Sequence, residues 1–131
     1  MHIIALYAPL FGLLFFVLSL RTIRLRQKLQ VGVGDGGNAE LLRATRAHAN
    51  FAEYVPITLI ILYLMEASGG SHWLIHALTG LLLLGRALHA YGVSQVAENL
   101  RFRICGMALT FIALVGASGC VLVLEYWRLF K

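Results

Sequence analysis

The run from Ile3 to Leu20 holds eighteen residues of almost unbroken apolar character. With its flanks, that length crosses a hydrocarbon layer about 30 Å thick as an α-helix, a form in which a backbone inside lipid satisfies its own hydrogen bonds. Pro9 falls early in the run, where its missing donor would kink the second or third turn. Three later segments repeat the pattern: Ala39–Ala67, whose second half Ile57–Met65 is nearly free of polar groups, then Trp73–Tyr91 and Phe102–Tyr126. The expectation is an all-α, integral membrane four-helix bundle forming one domain over residues 1–131, with spans near 3–20, 47–67, 73–91 and 104–126. Composition agrees, since 60% of residues are hydrophobic and 13% charged, against about 25% charged in soluble domains.

The net charge of +5 would suggest nucleic acid in a soluble chain. Here its placement explains it. Arg21, Arg24, Arg26, Lys28, Arg43, Arg46, Arg86, Arg101 and Arg103 fall toward one face of the membrane, leaving Arg128 and Lys131 for the other. The positive-inside rule makes the arginine-rich face cytoplasmic and puts both termini on the non-cytoplasmic side. No soluble module interleaves basic residues with exposed aromatics, so a nucleic-acid partner is not expected. Cys105 and Cys120 share one helix about 22 Å apart, too far to bridge, and no ligand spacing around them makes a metal motif. Met1-His2 supplies no basic leader region, so the first apolar run is read as a retained span.

Between the first two helices, Gly32-Val33-Gly34-Asp35-Gly36-Gly37 formally matches G-x-G-x-x-G. A dinucleotide fingerprint needs a preceding strand, whereas a membrane helix precedes this one. The glycines therefore read as a compact turn, with Asn38 as N-cap and Glu40 in the first turn of helix two. Helix two, about 43 Å long at 1.5 Å per residue, should project past the hydrocarbon. Ser68-Gly69-Gly70-Ser71 turns the chain at the far side, flanked by His72 and His76, which read as interfacial residues. Helix three, Trp73–Tyr91, has aromatic ends, and a loop from Gly92 to about Leu100 leads to helix four. There Gly106, Thr110, Ala113 and Ala117 form a small-residue seam, with Gly116 and Cys120 as another, that would let helices approach closely.

Helix two also carries charges. Arg43, Arg46, Asn50, Glu53 and Tyr54 fall within an arc of roughly 100°, with His48 near 140° on another face. A charge at membrane depth costs about 2.5–3.5 kcal/mol and ordinarily faces a partner or a wet cavity. A surface anchor whose Arg43 and Arg46 snorkel to phosphates is the plainer reading, yet it leaves Asn50 and Glu53 unexplained. Arg86 and His89 make a second polar stripe late in helix three. The candidate set is Arg24 or Arg26, Arg46, Asn50, Glu53, Tyr54, Arg86, His89 and Arg101 or Arg103. Its complement is an anionic, multidentate ligand, with carboxylates for the arginines and an amine for Glu53. Four helices could hardly enclose so many groups, which favours a site between subunits. No Ser-His-Asp triad or carboxylate pair is present. A proton-coupled transporter built on Glu53 fits poorly among arginines that would hold the acid ionised.

Arg46-Ala47-His48-Ala49-Asn50-Phe51-Ala52-Glu53-Tyr54-Val55-Pro56, followed by Arg86-Ala87-Leu88-His89 and Arg103-x-x-Gly106, resembles the MAPEG family, membrane-associated proteins in eicosanoid and glutathione metabolism. The likeness covers essentially the whole chain and points to small bacterial members of an inner membrane. It implies a homotrimer of four-helix subunits with glutathione in clefts between neighbours, open toward the cytoplasm. By the same likeness Arg46, Asn50, Glu53 and Tyr54 hold the peptide, Glu53 on the γ-glutamyl amine and Arg46 on a carboxylate. His89 stands where a donor sits, Arg24 and Arg26 match an Arg-x-Arg pattern with Arg21 as an alternative, and Arg103, beside Arg101, faces the sulfur. Val93 and Ile104 depart from positions where some members place a tyrosine and a serine, thinning the contacts. A cation beside a thiol of pKa about 8.5 favours the thiolate, the true nucleophile. The leading expectation is a glutathione-dependent transferase or peroxidase acting on a lipophilic electrophile or hydroperoxide from the bilayer, in contact with membrane lipids. The rival keeps the fold without the chemistry: a trimeric protein binding an anionic lipid or a thiol metabolite.

Overall fold

A computed structural model describes residues 2–95, 97 and 99–130. Met1, Val96, Glu98 and Lys131 lie outside the described residues, and with them the parts of the expected leader, loop and terminal-charge readings that fall there. Four helices and no strand are present among the described residues: α1 Ile3–Leu29, α2 Ala39–Ala67, α3 His72–Ser94 and α4 Leu100–Leu129. All four are long and apolar enough to cross a membrane.

The second helix has the expected bounds because both of its ends are coded locally. Asn38 accepts from the backbone N–H groups of Glu40 and Leu41, each at 3.0 Å, and Glu40 sits at the positive end of the helix dipole. At the other end Gly69 adopts φ +76°, while Gly70 N–H donates to Met65 O at 2.9 Å and Gly69 N–H to Glu66 O at 3.1 Å. These paired bonds close a Schellman turn. The other helices run longer than expected. Arg, Leu, Gln and Lys are good helix formers, so α1 continues through the basic run to Leu29 and ends where Gln30 turns left-handed at φ 55°. Three positive-φ glycines, Gly34, Gly36 and Gly37, then build the turn. Gly92 does not stop α3, which reaches Ser94, and Asn99 starts α4 at Leu100 by accepting from Arg101 N–H at 3.1 Å.

Two helices are central and two flank them. Both α2 and α3 pack against every other helix, whereas α1 and α4 do not meet among the described residues. Accordingly ten residues of α3 are buried, against four of α4. Large apolar side chains such as Leu13, Phe16, Val115 and Leu122 remain exposed on the flanking helices, as the lipid-facing surface of a membrane protein requires.

The α3–α4 contact is the closest in the fold. The buried residues of α4 are Gly106, Thr110, Ala113 and Ala117, which is the small-residue seam. A Cβ on Gly85 would stand 2.9 Å from the Gly106 carbonyl, and one on Gly92 would stand 2.9 Å from the Arg103 backbone nitrogen. Tyr91 and Phe102 seal this end edge to face, with centroids 5.3 Å apart. The seam thus carries the first turn of α4 onto the last turns of α3.

Candidate functional site

Arg43, Arg46 and Asn50 of α2, His89 and Val93 of α3 and Arg103 of α4 line one cavity of about 290 Å³, with Ala39 and Leu42 at its margin. Their spacing on α2, at i, i+3 and i+7, puts the three polar side chains on one face. His89 is buried, held against α4 by the same Gly106 contact that fixes the helix pair. Arg103 arrives because α4 begins only four residues earlier, at its Asn99 cap. Arg43 also donates to the Val93 carbonyl at 3.4 Å, and Arg21 of α1 donates to the Ser94 carbonyl at 3.2 Å. Two cations therefore satisfy the last carbonyls of α3, where the helix dipole is negative.

Four of the residues singled out from sequence, Arg46, Asn50, His89 and Arg103, are brought together here. The others are placed elsewhere in the single chain. Arg24 lines a separate groove with Val17, Leu20, Arg21, Leu25 and Glu40. Arg26 wraps the interhelical turn, its Nη1 donating to the carbonyls of Val31, Gly32 and Gly34 at 3.4, 3.1 and 3.0 Å. Glu53 and Arg101 are exposed. Tyr54 is half-buried, edge-on to Phe111 and 5.7 Å beneath the Arg86 guanidinium. Arg86 is itself fully buried behind the cavity wall, with Nη1 donating to Asn50 Oδ1 at 2.7 Å. His48 packs between α1 and α2, stacked on Phe15 and 3.1 Å from Ser19 Oγ.

Arg43 was left outside the ligand set by sequence reasoning, although it lies in the same helical arc, which is the signal that could have included it. Glu66 was missed altogether. Its carboxylate accepts from the backbone N–H groups of Ile3 and Ile4, capping α1 at the end of the bundle away from the cavity.

Chemically, the lining offers hydrogen and positive charge. Arginine only donates, and three of them on one cavity select an anion rich in acceptor oxygens or a thiolate.

Fold and site together define a four-spanning helical membrane protein whose arginine-rich cavity is framed by its second, third and fourth helices at the ends near the two longer connections. The chain belongs to the MAPEG family, whose model matches residues 4–123. It is also 40% identical over 111 residues to the inner membrane protein YecN of Escherichia coli strain K12, a match covering 85% of this chain and 83% of that protein. The YecN protein of E. coli O6:H1 matches with the same identity and coverage.

Proposed function

We propose that the protein is a glutathione-dependent membrane transferase or peroxidase, working as a homotrimer on a lipophilic electrophile or hydroperoxide. The observation that carries this reading is the convergence of Arg43, Arg46, Asn50, His89 and Arg103, from three helices, on one cavity. Such a donor set fits the two carboxylates and the thiol of glutathione. When bound, glutathione supplies the sulfur nucleophile for attack on an electrophile.

Arg46 pairs with a carboxylate, Asn50 and His89 hydrogen-bond the peptide, and Arg103 holds negative charge at the sulfur. Arginine suits that last task because it stays protonated throughout the working pH range. Membrane family membership supports the ligand class.

Two features support a site completed by a second copy. At about 290 Å³ the cavity lies just below the range of about 300–1,000 Å³ for small-molecule sites, and a second copy packed against it would enclose a ligand seated there. Glu53 and Arg24 are exposed on the single chain. With the span beginning near residue 47, Glu53 lies six residues inside it, about 9 Å at 1.5 Å per residue, where an uncovered carboxylate is costly. A neighbouring subunit covers it and brings Glu53 to the γ-glutamyl amine and Arg24 to a carboxylate, with Tyr54 and Arg101 at the margins.

Titrating the purified protein with glutathione, reading affinity and ultraviolet thiolate absorbance together, tests the proposal. Saturable binding with thiolate formation is expected, and in Arg103→Gln binding persists while the thiolate signal is lost. Binding without any thiolate in the wild type would leave a binding protein and refute the enzyme.

A further inference from the structure

Arg86 is 1% exposed, and that burial is complete within one chain, whatever surrounds the bundle. Its Nη1 donates to Asn50 Oδ1 at 2.7 Å and to the Asn50 carbonyl at 3.5 Å, and its Nη2 meets Met107 Sδ at 3.3 Å. Every one of these acceptors is neutral, and the Nε–H has no acceptor among the described residues. The Tyr54 ring covers the guanidinium at 5.7 Å. Burying a cation without a carboxylate is expensive, because neutral acceptors repay only part of the hydration it loses. Stability therefore does not account for Arg86.

The chemistry of the contact does. Arginine cannot accept, so the Asn50 atom it touches is the carboxamide oxygen. With the oxygen turned inward to Arg86, the N–H₂ group is the end of Asn50 left for the cavity that this side chain lines. We propose that Arg86 is a positioning residue for the ligand cavity, locking the Asn50 carboxamide so that it presents hydrogen to an anionic ligand instead of a repelling oxygen. This rests on the reading of the cavity as the glutathione site. Without Arg86 the carboxamide can flip, and half of its orientations would aim a carbonyl oxygen at the ligand's carboxylate.

The test is a double-mutant cycle on the full-length protein in lipid nanodiscs: wild type, Arg86→Met, Asn50→Ala and the double variant. Glutathione binding is read by calorimetry, and melting without ligand is read alongside. Each single substitution is expected to weaken binding roughly tenfold, with the double variant no weaker than Asn50→Ala alone. Arg86→Met is expected to melt no lower than wild type, which separates positioning from support of the fold. Wild-type affinity in Arg86→Met, or losses that multiply in the double variant, would overturn the inference. If the wild type binds no glutathione, the functional reading fails, and the cycle is read instead as stabilisation by inorganic sulfate. A sulfate effect lost in Arg86→Met and not lost further in the double variant supports the inference, and one equal in all four proteins overturns it. A wild type stabilised by neither probe overturns both.

Discussion

A methyl group on Gly106 would stand 2.6 Å from the backbone nitrogen of His89. It would also stand 2.6 Å from the Gly85 carbonyl. Both neighbours are backbone, so neither can swing aside, and α4 would have to lift from α3. Because His89 and Arg103 lie on the two sides of this contact, the separation that admits a methyl group also parts two walls of the cavity. Gly106→Ala is expected to lose about 1–3 kcal/mol of stability and most of its affinity for glutathione. Gly119→Ala is the control. No atom lies within 4 Å of its would-be Cβ, so its melting temperature should hold or rise slightly, as for alanine at an open helical site. Thermal melting and calorimetry on both variants check the pair.

Two arginines two residues apart on α1 should fail differently. Arg26 holds the turn through the carbonyls of Val31, Gly32 and Gly34. Arg26→Ala should therefore cost about 1–3 kcal/mol of stability while leaving anion affinity in the folded protein unchanged. Arg24 has no such structural duty among the described contacts. Arg24→Ala should melt with the wild type and bind glutathione several-fold more weakly. Equal affinity loss in both variants would mean that the turn, not Arg24, supports the ligand.

The carboxylate of Glu66 caps α1 at the end of the bundle remote from the arginines. Glu66→Ala should lower stability by about 0.5–2 kcal/mol, the usual cost of a lost N-cap. Glutathione affinity should not change, since no cavity residue lies at that end. A fall in affinity without a fall in melting temperature would contradict this placement.

Glu53 offers a test of the shared site. Chemical cross-linking in membranes should give a ladder that ends at three subunits, and a chain that remains monomeric would remove the neighbour that Glu53 needs. In the assembled protein Glu53→Gln should weaken glutathione binding about tenfold. The same substitution should leave unchanged the affinity for a glutathione analogue lacking the γ-glutamyl amine. An equal loss for both ligands would point to a packing role.

Much of the fold is legible in the sequence because it is written locally. Asn38 caps, the glycines around Asp35 and the turn at Gly69 depend on a few neighbouring residues, and the seam of Gly106, Thr110, Ala113 and Ala117 is a repeat along one helix. The stripe on α2 is legible for the same reason, since helical period alone puts Arg46 and Asn50 on one face. Rotation and depth of one helix against another are different in kind. They arise from how side chains of distant segments interlock, which periodicity in one segment does not encode. Only the packed bundle put Arg26 on the turn and seated Arg86 behind Asn50. It also set Glu66 beneath the start of α1, sixty-odd residues away in the chain. Sequence alone thus determined four membrane helices and a cationic face, since hydrophobic length and helical period suffice for both. Which cations meet was decided by the close approach of α3 to α4, because that contact alone brings Arg103 beside His89.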